Sequence, residues 1–231
     1  DASFNVAIGS GAIGADTKGS RSVAIGYNSL VTQNFTSATD TYNIAIGFEA
    51  GKAVTVGVQN TILGSFAGDS LTDADYNVAV GLGALGSDTL GSTSVAVGYS
   101  ALSAQNFTSA TNTYNTAVGY ASGQAITTGN SNTFIGGLAG DSNTTGIYGT
   151  AVGRDALGAN TTGNYNVALG GDALKSNTTA SDNTAVGTAS LYTNTTGADN
   201  TALGMNSLRN NTTGANNTGL GKSALLANTT G

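Results

Sequence analysis

The sequence predicts an all-β fold: a parallel β-solenoid, β-roll or β-helix, of about thirteen 17-residue coils associating as a homotrimer. Three observations predict it. Thirteen glycines, Gly9, Gly26, Gly47, Gly64, Gly81, Gly98, Gly119, Gly136, Gly153, Gly170, Gly187, Gly204 and Gly221, each close a phrase of the form Asn-(Val/Thr/Ile)-Ala-(aliphatic)-Gly. Ten of the twelve intervals between them are 17 residues and two are 21, a period at which stacked coils are the first reading. Charged residues keep to certain columns of that repeat and avoid the rest.

Numbered from its Asn, the repeat opens on a strand. Position 2 is always β-branched and position 4 always Ile, Leu or Val. Lying two apart, they share one face of an extended chain, and that face is expected to be the core. Gly at position 5 and the Asn-Thr-Thr-Gly phrase at 160–163, 194–197, 211–214 and 228–231 are expected to supply the φ > 0 turns, giving two short strands and two turns per coil. Position 1, Asn in ten of thirteen copies, suits either an amide ladder along the stack or a plain turn.

Every Lys, Arg, Asp and Glu lies outside positions 1 to 5, 8 and 9. Those columns are therefore expected to be buried. Position 3, Ala in ten copies, points to the strand face opposite positions 2 and 4, and something must cover it. A thin core of small aliphatics needs more buried area than one chain supplies. A homotrimer with its Ala faces around a threefold axis is the expectation. At a rise of about 4.8 Å per coil, the rod would be roughly 60 Å long.

A single repeat array spans 1–231, with a duplicated four-coil unit at 22–93 and 94–165. The 21-residue copies carry four-residue loop insertions within 31–42 and 103–114. Insertions in solenoids map to loops on one face, often a binding face. Asn34, Phe35, Thr36, Asn106, Phe107 and Thr108 are the candidate ligand-binding residues, because an aromatic plate ringed by neutral hydrogen-bonding groups suits a sugar. The alternative has both rings tucked against the rod as caps. Tyr42, Tyr76, Tyr114, Tyr148 and Tyr165 precede new repeats and read as a structural ladder or a ligand platform.

The absence of His and Cys rules out Ser-His-Asp, Cys-His and the usual zinc constellations. With a single Glu and no second acidic group converging on Asp69, Asp73 and Asp75, no carboxylate pair for glycoside hydrolysis is in view, and the chain is expected not to be an enzyme. No cofactor is expected. Ca²⁺ at those three aspartates is disfavoured because their spacing matches neither a calcium β-roll nor an EF-hand. A net charge of −6 with seven scattered Lys and Arg argues against nucleic acid. No apolar run reaches the length of a membrane span. Beginning at Asp1 and stopping part-way through a repeat, the sequence reads as a piece of something longer, without a signal peptide. Asn-x-Thr sequons at Asn34, Asn106, Asn160, Asn177 and Asn194 are explained by turn chemistry.

Asn5-Val-Ala-Ile-Gly-Ser-Gly-Ala-Ile-Gly and Ser22-Val-Ala-Ile-Gly-Tyr-Asn-Ser-Leu resemble the YadA-like head repeats of trimeric autotransporter adhesins. Later copies, such as Asn183-Thr-Ala-Val-Gly-Thr-Ala-Ser-Leu, resemble arrays of phage tail-fibre proteins. The resemblance covers nearly the whole chain and implies an extracellular fibre, on a bacterial surface or a virion, that binds a cell-surface glycan or protein receptor or spaces one that does. The adhesin repeat is typically shorter, so coil shape does not carry over. Two other expectations stand beside it: a structural filament subunit, and an ice-binding solenoid using the ladder Thr161/Thr178/Thr195/Thr212/Thr229.

Overall fold

The computed structural model describes residues 2–231, which form an all-β parallel solenoid of about thirteen coils of about 17 residues, without a helix among the described residues. The chain divides into two compact units, Asp1–Asn115 and Thr116–Gly231. In the first, three-residue strands β1 (Val6–Ile8), β3 (Val23–Ile25), β5 (Ile44–Ile46), β6 (Thr61–Leu63), β7 (Val78–Val80) and β9 (Val95–Val97) stack in parallel. Two-residue pairs, β2 (Gly19–Ser20) with β4 (Thr39–Asp40) and β8 (Gly91–Ser92) with β10 (Thr111–Asn112), mark the 21-residue coils. In the second unit the stack runs β11 (Thr116–Val118), β12 (Thr133–Ile135), β13 (Thr150–Val152), β14 (Val167–Leu169), β15 (Thr184–Val186), β16 (Thr201–Leu203) and β17 (Thr218–Leu220). Register is repeat on repeat: Val78 faces Val95 and Thr184 faces Thr201.

Nine of the thirteen coils thus hold one regular strand, and the expected second strand is present, two residues long, only in the four coils that carry β2, β4, β8 and β10. The return segment is still tied coil to coil, as in the bonds from Thr55 N to Thr72 O and Thr178 N to Thr195 O. Left-handed residues interrupt it. In the second unit these fall at position 7 (Asp155, Asp172), position 9 (Leu157, Leu174, Leu191, Leu208) and position 17 (Asp182, Asp199). Gly at position 5 has the predicted positive φ, for example +137° at Gly64, and a Cβ there would stand 2.7 Å from the Gly81 carbonyl of the next coil. The Asn-Thr-Thr-Gly glycines Gly163, Gly197 and Gly214 do not have positive φ. Gly163 is required because a Cβ would meet the Ala180 carbonyl at 2.2 Å.

The core lies on the face opposite to the expected one. Position 3 is inside, with Ala24, Ala45, Ala79, Ala168 and Ala185 fully buried, whereas Ile44, Leu63, Ile135 and Leu203 of positions 2 and 4 are at least 40% exposed. Nothing beyond the chain is needed to cover the alanines, since the coil's own position 8 and position 9 residues, such as Ala84 and Leu85, are buried with them. The argument for a threefold built on an Ala face falls with this. Interior volume is traded between columns. Leu at position 9 goes with Ala at position 3, while Gly68 and Gly140 make room for Ile62 and Phe134: a Cβ on Gly140 would lie 2.5 Å from the Phe134 ring. Phe134 also accounts for Gly149 standing where most copies have Asn, because a Cβ there would crowd both its ring and the Asn132 amide.

The position-1 amides form the ladder. Asn60 Nδ2 donates to the Ala74 carbonyl at 2.7 Å, and its Oδ1 accepts from Asn77 N at 2.9 Å; Asn43, Asn166 and Asn200 repeat the pattern. A second ladder at position 12 was not anticipated. Asn160, Asn177, Asn194 and Asn211 are buried, and each donates to the Asn of the preceding coil at 2.7–3.1 Å and to a carbonyl three residues on. Buried polar groups satisfied in this way do not carry the desolvation penalty of orphaned ones.

Candidate functional site

The inserted loops are anchored from within. Gln33 is fully buried; its Nε2 donates to Asp16 Oδ2 at 2.7 Å and Ser22 Oγ at 3.1 Å, and its Oε1 accepts from Asn43 Nδ2 at 2.9 Å. Gln105 does the same with Asp88, Ser94 and Asn115 at 2.6, 2.9 and 2.8 Å. The Ser22 hydroxyl also meets that of Thr41, and Ser94 meets Thr113. Asp88, itself fully buried, further accepts from Gly91 N and Phe107 N. A glutamine reaching across from the longer coil thus replaces the amide lost where Ser stands at position 1. The sequence carried the signal, since Ser22 and Ser94 occur in the two 21-residue copies alone.

Phe35 and Phe107 are 7% exposed. Their rings cap the loop, Phe35 lying against Gly19, where a Cβ would stand 3.0 Å from the ring. The aromatic plate on which the sugar-site reading depended is therefore not presented to solvent. Asn34, Thr36, Asn106 and Thr108 are exposed around it, and Asn106 Oδ1 accepts from Thr89 Oγ1 at 3.1 Å.

The exposed apolar surface lies instead on the outer face of the strands. Positions 2 and 4 form a strip that no charged side chain interrupts, edged at position 6 in the first unit by Tyr27, Phe48 and Leu82, each 44–50% exposed. Tyr27 stacks on Phe48 at 5.3 Å, and Phe48 meets Phe66 edge-on at 5.2 Å. In the second unit the corresponding column reads Gly137, Arg154, Gly171, Thr188, Met205 and Lys222 from its second coil onward. Contiguous apolar patches beyond a few hundred Å² on soluble proteins mark interaction sites. The chain matches no family model, no curated protein and no solved structure. Its surfaces are therefore read from their own chemistry.

Charges occupy other columns. Lys175 joins Asp172 at 2.9 Å and Asp155 at 3.5 Å, and Arg154 lies 3.2 Å from Asp155. The hydrogen bond to Asp172 raises the Lys175 pKa. Burial pushes the carboxyls of Asp69, Asp75 and Asp141 up; for Asp75 the hydrogen bond from Val58 N opposes this. Among the described residues no group of three or more His, Cys, Asp or Glu is placed to hold a metal ion, Asp69, Asp73 and Asp75 included. No helix among them is long and apolar enough to cross a membrane, and their surface has no pocket.

The position-13 threonines are committed to the backbone: Thr161, Thr178, Thr195 and Thr212 each donate to the carbonyl of the next coil's threonine at 3.0–3.1 Å. The hydroxyls of Thr133, Thr150, Thr184, Thr201 and Thr218, at position 2, make no hydrogen bond among the described residues and are half-buried or exposed. Of the sequons, Asn160, Asn177 and Asn194 are buried in their ladder, whereas Asn34 and Asn106 are exposed.

Proposed function

We propose that the chain is a non-enzymatic segment of a homotrimeric extracellular fibre, serving as receptor-binding rod or spacer in attachment to a host cell or surface. The observation that supports this is the charge-free strip of positions 2 and 4, aliphatic at position 4 in every coil and at position 2 in most coils of the first unit. Val, Ile and Leu repeating every coil on an outer face are costly to leave in water, at roughly 25 cal/mol per Å² of apolar area. A strip that recurs once per coil, in register, presents the same surface on every copy. Three copies around a threefold axis bury it without leaving a free edge. The charged columns then remain outside.

Sedimentation of the intact chain and of Ile46→Asp/Val80→Asp tests this. A trimer that dissociates in the variant is expected; a monomeric wild type would end the proposal, and filaments without limit in electron micrographs would favour the structural-filament alternative. Glycan and receptor arrays on the trimer then separate a binding rod from a spacer. A second reading draws on the position-2 threonines of the second unit, whose free hydroxyls alternate with aliphatics on a regular parallel sheet, a surface suited to ordering water as ice does. Thermal hysteresis in solutions of the chain would support it, and its absence removes it.

A further inference from the structure

At two places 72 residues apart, the spacing of the four-coil duplication, the chain sets a residue between two aromatic residues, a cation at the first and none at the second. In the first, Arg21 lies between Phe4 and Tyr42, its guanidinium carbon 5.1 Å from one ring centroid and 5.9 Å from the other, while its Nε contacts Asp40 Oδ1 at 2.9 Å. Seventy-two residues on, the same places in the repeat hold Tyr76, Thr93 and Tyr114, with Asn112 at the position of Asp40. The backbone scaffold is the same. Arg21 N donates to Ser3 O as Thr93 N donates to Asp75 O, both at 3.0 Å, and Asp40 faces Ser20 as Asn112 faces Ser92. All six column residues are left-handed, with φ between 51° and 66°.

The second copy therefore keeps both rings but lacks the cation, and its carboxylate has become an amide. Tyr76 and Tyr114 are 53% and 61% exposed. The slot floor is Thr93, at φ 64° the single β-branched residue of this column, in a conformation that β-branched side chains rarely adopt. Backbone strain of this kind is a pointer to function when other residues would sit there without it. Asp75 stands in place of Ser3, directly before Tyr76, and its Oδ1 accepts from Val58 N at 2.7 Å. The chain builds the same kind of stack elsewhere: Arg209 and Lys175 lie 5.3 and 6.0 Å from the Tyr192 ring. Adjacent coils thus set cations on aromatic faces at distances where the ring quadrupole attracts them.

We infer that Tyr76, Thr93 and Tyr114 form a binding slot for a guanidinium group, taken from an exposed arginine side chain of a partner protein. Arginine suits it better than lysine because a planar, weakly hydrated cation stacks on both rings. The slot's chemistry does not depend on whether the aliphatic strip pairs with other copies.

Nα-acetyl-arginine amide titrated into the intact chain, with the tyrosine ring resonances followed by NMR, tests the inference. Tyr76 and Tyr114 should shift with a dissociation constant in the low-millimolar range, the scale on which a single side chain binds, while Tyr148 and Tyr165 stay still. Nα-acetyl-citrulline amide, equal in shape but neutral, should shift them at least tenfold more weakly. Thr93→Arg/Asn112→Asp rebuilds the filled sandwich and should abolish the response. Tyr114→Asn, at an exposed position whose φ asparagine accepts, should weaken it at least fivefold. No response, an equal response to citrulline or to a neutral disaccharide, or an unchanged response in either variant overturns the inference.

Discussion

The two compact units fill the same 17-residue coil by different means. In Asp1–Asn115 position 12 holds Asp16, Gln33, Val54, Leu71, Asp88 and Gln105, a mixture in which apolar plugs alternate with a bracket of Asp and Gln. In Thr116–Gly231 the column opens on Ile126 and is then Asn in every coil, each amide from Asn160 onward donating to the one before. The outer faces differ too. Position 2 is Val or Ile in the first unit except for Thr61, and Thr in the second except for Val167. Each amide of a ladder bonds to a like neighbour, so a break in the column needs a partner supplied from elsewhere, as Gln33 and Gln105 do where Ser22 and Ser94 interrupt position 1. A plug needs only a matching hole. The first unit can therefore vary coil by coil, and both long loops lie in it.

The largest test of this contrast is at Phe134, which fills its coil of the second unit from position 3. Phe134→Ala should cost about 3–5 kcal/mol, the range for truncating a buried aromatic, because Gly140 and Gly149 leave no side chain able to collapse into the space. Urea unfolding measures it. A loss below about 1 kcal/mol would mean that the ring does not fill the coil.

The exchange between columns comes next. Leu71→Asn sets one amide between Val54 and Asp88 with no ladder to join, and should cost about 2–4 kcal/mol through lost packing and an unsatisfied polar group. Asn177→Leu makes the reverse swap. It removes both the donor to Asn160 Oδ1 and the acceptor for Asn194 Nδ2 and should cost about 2–4 kcal/mol, the penalty for two ladder groups left without their partner. If both swaps prove neutral in chemical denaturation, position 12 does not distinguish the units.

Much of this was legible before any coordinates. The period, the strand at positions 2 to 4, the buried columns 1, 3, 8 and 9 and the need for Gly at position 5 all follow from residue types at fixed spacing. Which face is inside did not follow, because neither face carries charge and bulk alone suggested that Val and Ile belong within. The cross-section decides it: Leu from position 9 already fills the coil, leaving room only for Ala at position 3. A signal was present in Ile62 with Gly68 and Phe134 with Gly140, where a large residue at position 3 accompanies a missing side chain at position 9. The loops left two readings open, an exposed plate and a ring tucked against the rod, and the structure shows the second. Phe35 reads as exposed beside Asn34 and Thr36, and only the Gln33 anchor to Asp16, 17 residues back, shows that the loop is pulled onto the coil.

The smallest expected difference is the response to acid. Burial raises the carboxyls of Asp69 and Asp75 in the first unit and of Asp141 in the second, where Lys175 works against the rise. A carboxyl whose folded pKa lies above its unfolded value holds its proton more tightly in the folded chain. Its contribution is fully present below the unfolded pKa and is lost as pH rises through the folded one. Lowering the pH from about 6 to about 4, toward the ordinary carboxylate value, should therefore raise the melting temperature, by on the order of 1–2 °C given how much of each carboxyl water still reaches. Asp69→Asn/Asp75→Asn should flatten that dependence more than Asp141→Asn does, and the Asn at 75 can still accept from Val58 N. A melting temperature that falls as the pH is lowered from about 6 to about 4 at constant salt would show that attraction between charges, and not the desolvation of these three aspartates, sets the chain's response to acid.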